Sequence, residues 1–188
     1  MRLMLEAFKL ATKYPPEQIF EIDWNGPYTF EQLKEYDADD PGFTNSLSLY
    51  AKYQDHPLYG RKSLTYIGKA IEQSVVKRLS QHDLYTETLY VGTIYPFKSW
   101  ELSETNYKKS YESQYYVRHK EGDAEIISRV EELLIYALWP AGNSKNKKTA
   151  PNSWGYRIFN TGHLGDLPPE VSGHYALENA PKPEIEDE

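Results

Sequence analysis

Apolar and polar side chains alternate along a segment near the middle of the chain. In SLSLYAKY, residues 46–53, the pattern puts two sets of side chains on opposite faces: Leu47, Leu49 and Ala51 against Ser48, Tyr50 and Lys52. This alternation predicts a β-strand. The segment SLTYIG, residues 63–68, reads as a second strand after a Pro- and Gly-containing turn, so the pair predicts a hairpin. A loop symmetric about Leu58 would place Tyr50 opposite Tyr66, with their Cβ atoms about 5 Å apart.

Other segments carry the start signals of helices. Thr29 and Gln32 fit a capping box ahead of the short helix FEQLKEY. Ser74 predicts the N-terminus of a helix through VVKRLSQHD, in which Arg78 and His82 lie one turn apart. The strongest helix pattern in the chain is DAEIISRVEELLIYALW, because its apolar residues recur at helical spacing.

The residue composition and the strand-ending residues predict three more strands. They are QIFEID at 18–23, TETLYVGTIYPF at 86–97, which we expect Pro96 to end, and YRIFN at 156–160. Residues 98–122 are polar and Tyr-rich and predict no clean element. Together the elements predict an α/β domain with a small mixed, mainly antiparallel sheet flanked by helices.

Length and composition favour one domain. A chain of 188 residues is long enough for one well-buried core. We expect a single domain over 1–177, with a core at about 46–146, an N-terminal decoration at 1–45 and a C-terminal strand and loop at 147–177. Residues 178–188 predict a disordered acidic tail. The absence of cysteine excludes disulfides and thiolate zinc sites. No apolar run approaches the length of a membrane span, so the expected location is cytoplasmic, with no membrane partner.

The net charge of −7 is divided unevenly along the chain. Residues 1–60 hold ten acidic and five basic side chains, and residues 178–188 hold five acidic ones and a single lysine. The stretch between them, 61–177, has thirteen acidic and fifteen basic side chains. Because contact with phosphate depends on local Lys and Arg, the overall acidity does not exclude a nucleic-acid partner.

The order of the motifs resembles the GIY-YIG nuclease superfamily over about residues 46–146. The first motif stands as Ser48-Leu49-Tyr50, which departs from GIY in its first two letters, and the second is intact as Tyr66-Ile67-Gly68. Arg78 takes the place of the family arginine, two residues further from YIG than in the DNA-repair excision members. Glu131 begins EELLIYALWPAGN, whose spacing of Glu, Pro and Asn matches the family's metal-site helix and brings in Asn143. Each motif alone is weak, and their joint order carries the resemblance.

The resemblance implies a Mg²⁺-dependent (or Mn²⁺-dependent) DNA endonuclease, similar to compact restriction endonucleases that cut double-stranded DNA as homodimers. It also implies a role for each matching residue. Tyr50 would be the base for the attacking water, Tyr66 would order that water, and His82 would orient the water or the phosphate. Glu131 would hold the metal, and Asn143 would brace the site.

The chemistry of these residue types agrees with that reading. A carboxylate such as Glu131 can hold Mg²⁺ through one ligand, with waters and phosphate oxygens completing the shell. Arg78 offers a fixed fork of donors to a phosphate oxygen. A tyrosine with a pKa near 10 is ionised in only about one molecule in a thousand at pH 7. We expect Lys69, three residues after Tyr66, to lower the pKa of a catalytic tyrosine.

Seven basic residues are candidate DNA contacts. They lie in the Tyr-rich insert and after the long helix: Lys108, Lys109, Arg118, Lys120, Lys145, Lys147 and Lys148. A solvated surface would explain the same lysines and arginine. The insert is also where a restriction-type enzyme could read sequence.

Two alternatives remain open at this point. A catalytically inactive DNA-binding or interaction module on the same fold would keep the motifs without cleavage. A zinc enzyme centred on His163, Asp166 and His174 has suitable residue types, but their spacing matches no helical or tight-turn metal pattern. We therefore predict a structural loop at 163–174.

Overall fold

A computed structural model describes residues 18–39, 48–71, 73–81, 88–102, 107–111, 123–149, 151–153 and 155–178. In this part of the chain the strands are β1 (Ile19–Tyr28), β2 (Ser48–His56), β3 (Gly60–Ala70), β4 (Thr88–Leu102), β5 (Tyr107–Tyr111), β6 (Arg157–Gly162) and β7 (Glu170–Ser172). The helices are α1 (Phe30–Asp39), α2 (Val75–Leu79), α3 (Asp123–Leu138) and α4 (Gly173–Glu178).

The described strands form a mainly antiparallel sheet in the order β3-β2-β4-β1-β6-β7. All neighbours along this path are antiparallel except β1 and β6, which are parallel. β5 pairs with the far part of β4. The mixed α/β architecture with a mainly antiparallel sheet is therefore confirmed. β3 is an edge strand, and the candidate site lies along it.

Local sequence signals fix two of the helix starts. Thr29 N–H donates to Gln32 Oε1 at 2.8 Å and Gln32 N–H donates to Thr29 Oγ1 at 3.2 Å, so the capping box is confirmed. Ser74 Oγ accepts from Lys77 N–H at 3.1 Å, which confirms the N-cap of α2. α2 ends at Leu79, however, and does not run through residue 83 as the sequence predicts.

The prediction that Pro96 ends the third strand is wrong. Pro96 pairs with Phe20 at the last position where β4 contacts β1, and the next residue, Phe97, pairs with Tyr111 of β5. A proline lacks an N–H, so it is tolerated where a strand changes partner and its register is irregular. β4 and β5 thus place strands inside 98–122, where the sequence predicts no clean element.

The register of the β2–β3 hairpin differs from the symmetric one. Next to the turn, His56 pairs with Gly60, which is symmetric about Leu58 as predicted. By the middle of the two strands, Tyr50 lies opposite Gly68. The prediction that Tyr50 pairs directly with the tyrosine of the second motif is therefore wrong by two residues.

Two irregularities in β3 cause this difference, and each adds one residue to that strand. The first contains Lys62, which has a φ of 50°. The second is at Thr65, whose hydroxyl donates to Lys52 O at 3.1 Å. As a result Tyr66 pairs with Lys52 and lies diagonally across from Tyr50 on the same face of the sheet.

The sheet has a buried apolar cluster on each face. The larger cluster lies under α3 and includes Phe20, Ile22, Trp24, Leu49, Ala51, Ile67, Val130, Leu133 and Leu134. The smaller one lies under α1 and α2 and contains Leu33, Tyr50, Ala70, Val75, Leu79, Leu89 and Val91. The predicted alternation in β2 is thus confirmed, because Leu49 and Ala51 belong to one cluster and Tyr50 to the other.

Candidate functional site

Two tyrosine rings and a glycine form the centre of the candidate site. The rings of Tyr50 and Tyr66 stack with centroids 6.0 Å apart and an interplanar angle of 17°. Gly68 lies directly opposite Tyr50 in the hairpin. A Cβ at Gly68 would lie 2.5 Å from Tyr50 Oη and 2.8 Å from Tyr66 Cε1. The glycine of the YIG motif is therefore required because the Tyr50 ring occupies the space above its backbone.

The Tyr50 hydroxyl is buried in an unusual way. The residue is 0 % exposed, and no described residue makes a hydrogen bond of acceptable geometry to Oη. Burial raises the pKa of Tyr50 well above its ordinary value, with a smaller increase from Tyr66, while the nearby charge of Arg78 lowers it. Since burial is the largest of these influences, the hydroxyl stays protonated at neutral pH.

Arg78, which lies on helix α2, is the basic residue whose charge lowers the pKa of Tyr50. The Ser74 cap that starts this helix also donates to Asp37 Oδ2 of α1 at 3.3 Å. Arg78 itself donates through Nη1 to Gln81 Oε1 at 3.2 Å. Its positive charge lowers the pKa of both Tyr50 and Glu131, so the guanidinium lies near both groups.

Glu131 and Lys69 form an ion pair at the edge of the sheet. Lys69 Nζ lies 2.9 Å from Glu131 Oε2, and the Glu131 side chain is only 11 % exposed. Burial raises the pKa of the Glu131 carboxyl above its ordinary value, and the bond to Lys69 opposes that rise. The sequence predicts Lys69 beside an ionised tyrosine, whereas in the structure Lys69 forms an ion pair with the Glu131 carboxylate.

Glu131 fits the requirements of a single protein ligand to a hard cation. It presents a carboxylate oxygen that is mostly desolvated, and its charge acts on Tyr50, as does the charge of Arg78. In the described part of the chain, no three His, Asp or Glu side chains converge in a group able to hold a metal ion. A metal here would therefore rely on water and phosphate oxygens for most of its shell, which is the usual habit of Mg²⁺.

Asn143 closes the open edge of β3. Its Oδ1 accepts from Ile67 N–H at 2.9 Å and its Nδ2 donates to Ile67 O at 2.8 Å. Gly142 N–H donates to Thr65 O at 2.6 Å. The loop after α3 thus satisfies the edge-strand backbone on both sides of Tyr66, at Thr65 and Ile67. This geometry suits the bracing role that the resemblance implies for Asn143.

Lys52 is a further residue of this site that the motifs do not include. It pairs with Tyr66 across the hairpin, is 7 % exposed, and its Nζ lies 5.3 Å from the centroid of the Tyr66 ring. The signal that could have found it is the alternation in β2, which puts Lys52 on the same face as Tyr50. Lys52 thus places a buried amino group against the ring that stacks on Tyr50.

The structure brings together Tyr50, Tyr66, Lys69, Arg78, Glu131 and Asn143. His82, Arg118 and Lys120 lie outside the described residues, as do the side chains of Lys108 and Lys109. Lys145, Lys147 and Lys148 follow the end of α3 and are exposed or half-buried. His163, Asp166 and His174 form no metal-binding group in the described residues.

Comparison of the chain with protein-family models, with curated proteins and with solved structures finds no match. Among the described residues, no helix is both long and apolar enough to cross a membrane.

Proposed function

We propose that this protein is a Mg²⁺-dependent DNA endonuclease of the GIY-YIG kind, with Mn²⁺ as the alternative cofactor. The observation that carries the proposal is the convergence of six motif residues at the edge of β3. They come from β2, β3, α2, α3 and the loop after α3. Cross-strand packing or surface charge would explain any one of them, but not a buried carboxylate, an arginine and two stacked tyrosines together.

The arrangement supplies the groups that phosphodiester hydrolysis needs. The oxygen of a water molecule attacks phosphorus, the bond from phosphorus to one ester oxygen breaks, and a phosphomonoester and a hydroxyl result. Arg78 donates to a non-bridging oxygen and balances the charge that grows there. A Mg²⁺ or Mn²⁺ ion held by Glu131 would supply Lewis-acid stabilisation of the same charge. Asn143 keeps the β3 edge in place.

Tyr50 has a more limited role in the reaction than an ionised general base would have. Its hydroxyl is fully buried in the protein without DNA, so it must become accessible when the substrate binds; the neutral hydroxyl then accepts a hydrogen bond from the attacking water and fixes the direction of attack. Removal of the water's proton by Oη itself requires the ionised form, which Arg78 favours and burial opposes. The stacked Tyr66 limits the movement of the Tyr50 ring and lines the same water position.

A nicking assay tests the proposal. Supercoiled plasmid is incubated with the protein in Mg²⁺, in Mn²⁺ or in EDTA, and Glu131→Ala is compared with Glu132→Ala, the neighbouring acid on the same helix. Cleavage that needs the metal, is lost in Glu131→Ala and persists in Glu132→Ala supports the nuclease. A mixed-sequence linear DNA then separates discrete fragments, as a restriction-type enzyme would give, from general degradation. Sedimentation of the protein with a duplex tests action as a dimer.

A second candidate function is a catalytically inactive DNA-binding or interaction module. The observation that favours it is the Lys69–Glu131 ion pair, which gives the carboxylate a partner other than a metal. Retained DNA binding in the wild-type protein without cleavage in any metal would select this alternative over the nuclease.

A further inference from the structure

A groove of about 690 Å³ lies between the end of α3, the lysines at 147–148, β7 and α4. Residues from all four of these segments line it, among them Tyr136, Trp139, Lys147, Lys148, Glu170 and Tyr175. Trp139 is 57 % exposed and Tyr175 is 74 % exposed. Exposed aromatic rings beside lysines in a concave surface are unusual for a face that only meets water.

Trp139 sits in a backbone conformation that a large side chain rarely adopts. Its N–H still donates to Ile135 O at 3.0 Å, so it caps the end of α3, but its φ is 50°. Glycine or asparagine is the usual residue in that conformation at a helix end, because a Cβ is disfavoured there. Strained residues of this kind concentrate at binding and catalytic sites. Its side chain lines the groove.

The charge of the groove is positive although the chain is acidic. Lys147 Nζ lies 6.0 Å from the centroid of the Trp139 ring, and Lys148 also lines the groove. Glu170 is the one acidic side chain among its lining residues in the described part of the chain, and Arg157 holds it through two bonds of 2.7 and 3.1 Å. The two lysines are therefore not balanced by an acid and can attract a polyanion.

We propose that this groove binds unpaired nucleotides of a nucleic acid. Bases stack on the faces of Trp139 and Tyr175, and Lys147 and Lys148 contact the phosphates between them. Aromatic platforms interleaved with lysines are the feature that single-strand binding surfaces share. A paired duplex hides its base faces inside the stack, so it could use the lysines but not the aromatic rings. Single-stranded DNA, or a strand opened beside a cleavage site, is thus the ligand that matches both features.

Binding of unpaired nucleotides rests on the proposed function in one respect only, which is that the partner is a nucleic acid. It does not need cleavage, because the groove contains none of the six residues assigned to the reaction. The two ideas can therefore fail separately. A groove that binds while the plasmid stays intact would contradict the nuclease alone, and cleavage with an inert groove would contradict this inference alone.

The test titrates the protein in EDTA with oligo(dT) of about 12 nucleotides, a length within the range of single-strand sites. Binding is followed by tryptophan fluorescence, and by anisotropy of a labelled oligonucleotide. A blunt duplex whose strands are joined at one end by a non-nucleotide linker, so that it has no unpaired bases, is the control ligand. We expect oligo(dT) to quench the fluorescence of the wild type and to quench Trp139→Phe much less. Trp24, which is fully buried and donates through Nε1 to Asn160 Oδ1 at 2.9 Å, should not respond.

Variants separate stacking from charge. Trp139→Ala and Tyr175→Ala should each weaken oligo(dT) binding by at least about 5-fold, whereas Trp139→Phe and Tyr175→Phe, which keep a ring, should bind close to wild type. Tyr36→Ala, which removes an exposed aromatic ring from α1 instead, should leave the affinity unchanged. Lys148→Ala should reduce the slope of log K against log salt by about 0.7, the value for one phosphate on a single strand. Thermal melting confirms that each variant is folded, and the wild-type fluorescence response needs no variant at all.

Three results would overturn the inference. The first is a wild-type fluorescence that oligo(dT) does not change. The second is an equal affinity for the blunt duplex and oligo(dT), with no loss in either alanine variant. The third is full displacement of oligo(dT) by polyglutamate at equal charge, which would mean that the groove attracts any polyanion and that the rings do not take part.

Discussion

Gly68→Ala is the substitution that tests the site geometry most directly. The added Cβ would lie 2.5 Å from Tyr50 Oη, 2.8 Å from Tyr66 Cε1 and closer still to Tyr50 Cζ. Ordinary contacts between such atoms are about 3.5–4.0 Å. The Tyr50 ring must therefore move by roughly 1 Å, the amount by which these contacts fall short. Because it is fully buried between α2 and the stacked Tyr66, it cannot retreat without disturbing its neighbours.

Two losses should follow from that displacement. Overpacking of this kind costs about 1–3 kcal/mol of the free energy of unfolding. For a chain of 188 residues this corresponds to a fall of roughly 2–12 °C in Tm. Cleavage should fall further, by about 100-fold, because a shift of about 1 Å in a positioning group can have that effect. Plasmid nicking below the melting temperature and urea unfolding measure the two losses separately.

Gly92→Ala provides the matched control. A Cβ there would lie 2.7 Å from Ile22 Cγ2 and 2.8 Å from Trp24 Cε3, so it overpacks the opposite, larger cluster by a similar amount. We expect a comparable loss of stability with nearly normal cleavage in the folded protein. A Gly68→Ala variant that melts and cleaves like the wild type would contradict the close packing of Tyr50 on Gly68. Equal loss of cleavage in both variants would show that general destabilisation, and not the position of Tyr50, sets the activity.

Three further predictions concern single polar groups of the site. Tyr50→Phe should keep DNA binding and lose cleavage, and because the buried hydroxyl makes no hydrogen bond of good geometry, its removal should change the free energy of unfolding by no more than about 1 kcal/mol; normal turnover in this variant would remove the proposed role. Burial raises the pKa of the Glu131 carboxyl in the metal-free protein, so protons should compete with Mg²⁺ and the Mg²⁺ concentration needed for half-maximal cleavage should rise as the pH falls, whereas a metal requirement that does not depend on pH would contradict the assignment. Asn143→Asp replaces the donor to Ile67 O with a second acceptor and should cost about 1–3 kcal/mol in urea unfolding, whereas Asn152→Asp, which is exposed, should cost almost nothing.

Local signals in the sequence predict the elements of this fold well and its register poorly. The capping pair at Thr29 and Gln32 and the cap at Ser74 act within one turn of chain, so their residue types are sufficient. The pairing of Tyr50 depends instead on two extra residues in β3, one of them at Lys62. A lysine with positive φ has no reliable signal in a single sequence, because the tertiary contacts around it decide whether the strand bulges.

The candidate site divides in the same way. The residue types and their order predict which side chains converge, but not which partners they choose there. Lys69 bonds to Glu131 because α3 packs across β3, and that crossing depends on the whole apolar surface of the helix. The position of Lys52 in the site could likewise be predicted only in part from the sequence. Its place on the Tyr50 face follows from alternation, while its burial beside Tyr66 follows from the shifted register.

The polar groups that the fold leaves least satisfied are linked through helix α2. The Tyr50 hydroxyl and Asp37 Oδ1 are buried without a hydrogen-bond partner among the described residues, and the Glu131 carboxyl is largely desolvated. Asp37 contacts the cap of α2, and α2 carries Arg78, whose charge reaches both Tyr50 and Glu131. A core selected for stability alone would replace such groups with apolar ones. Their association with Arg78, the residue proposed to contact the phosphate, is the pattern expected where stability has been given up for chemistry.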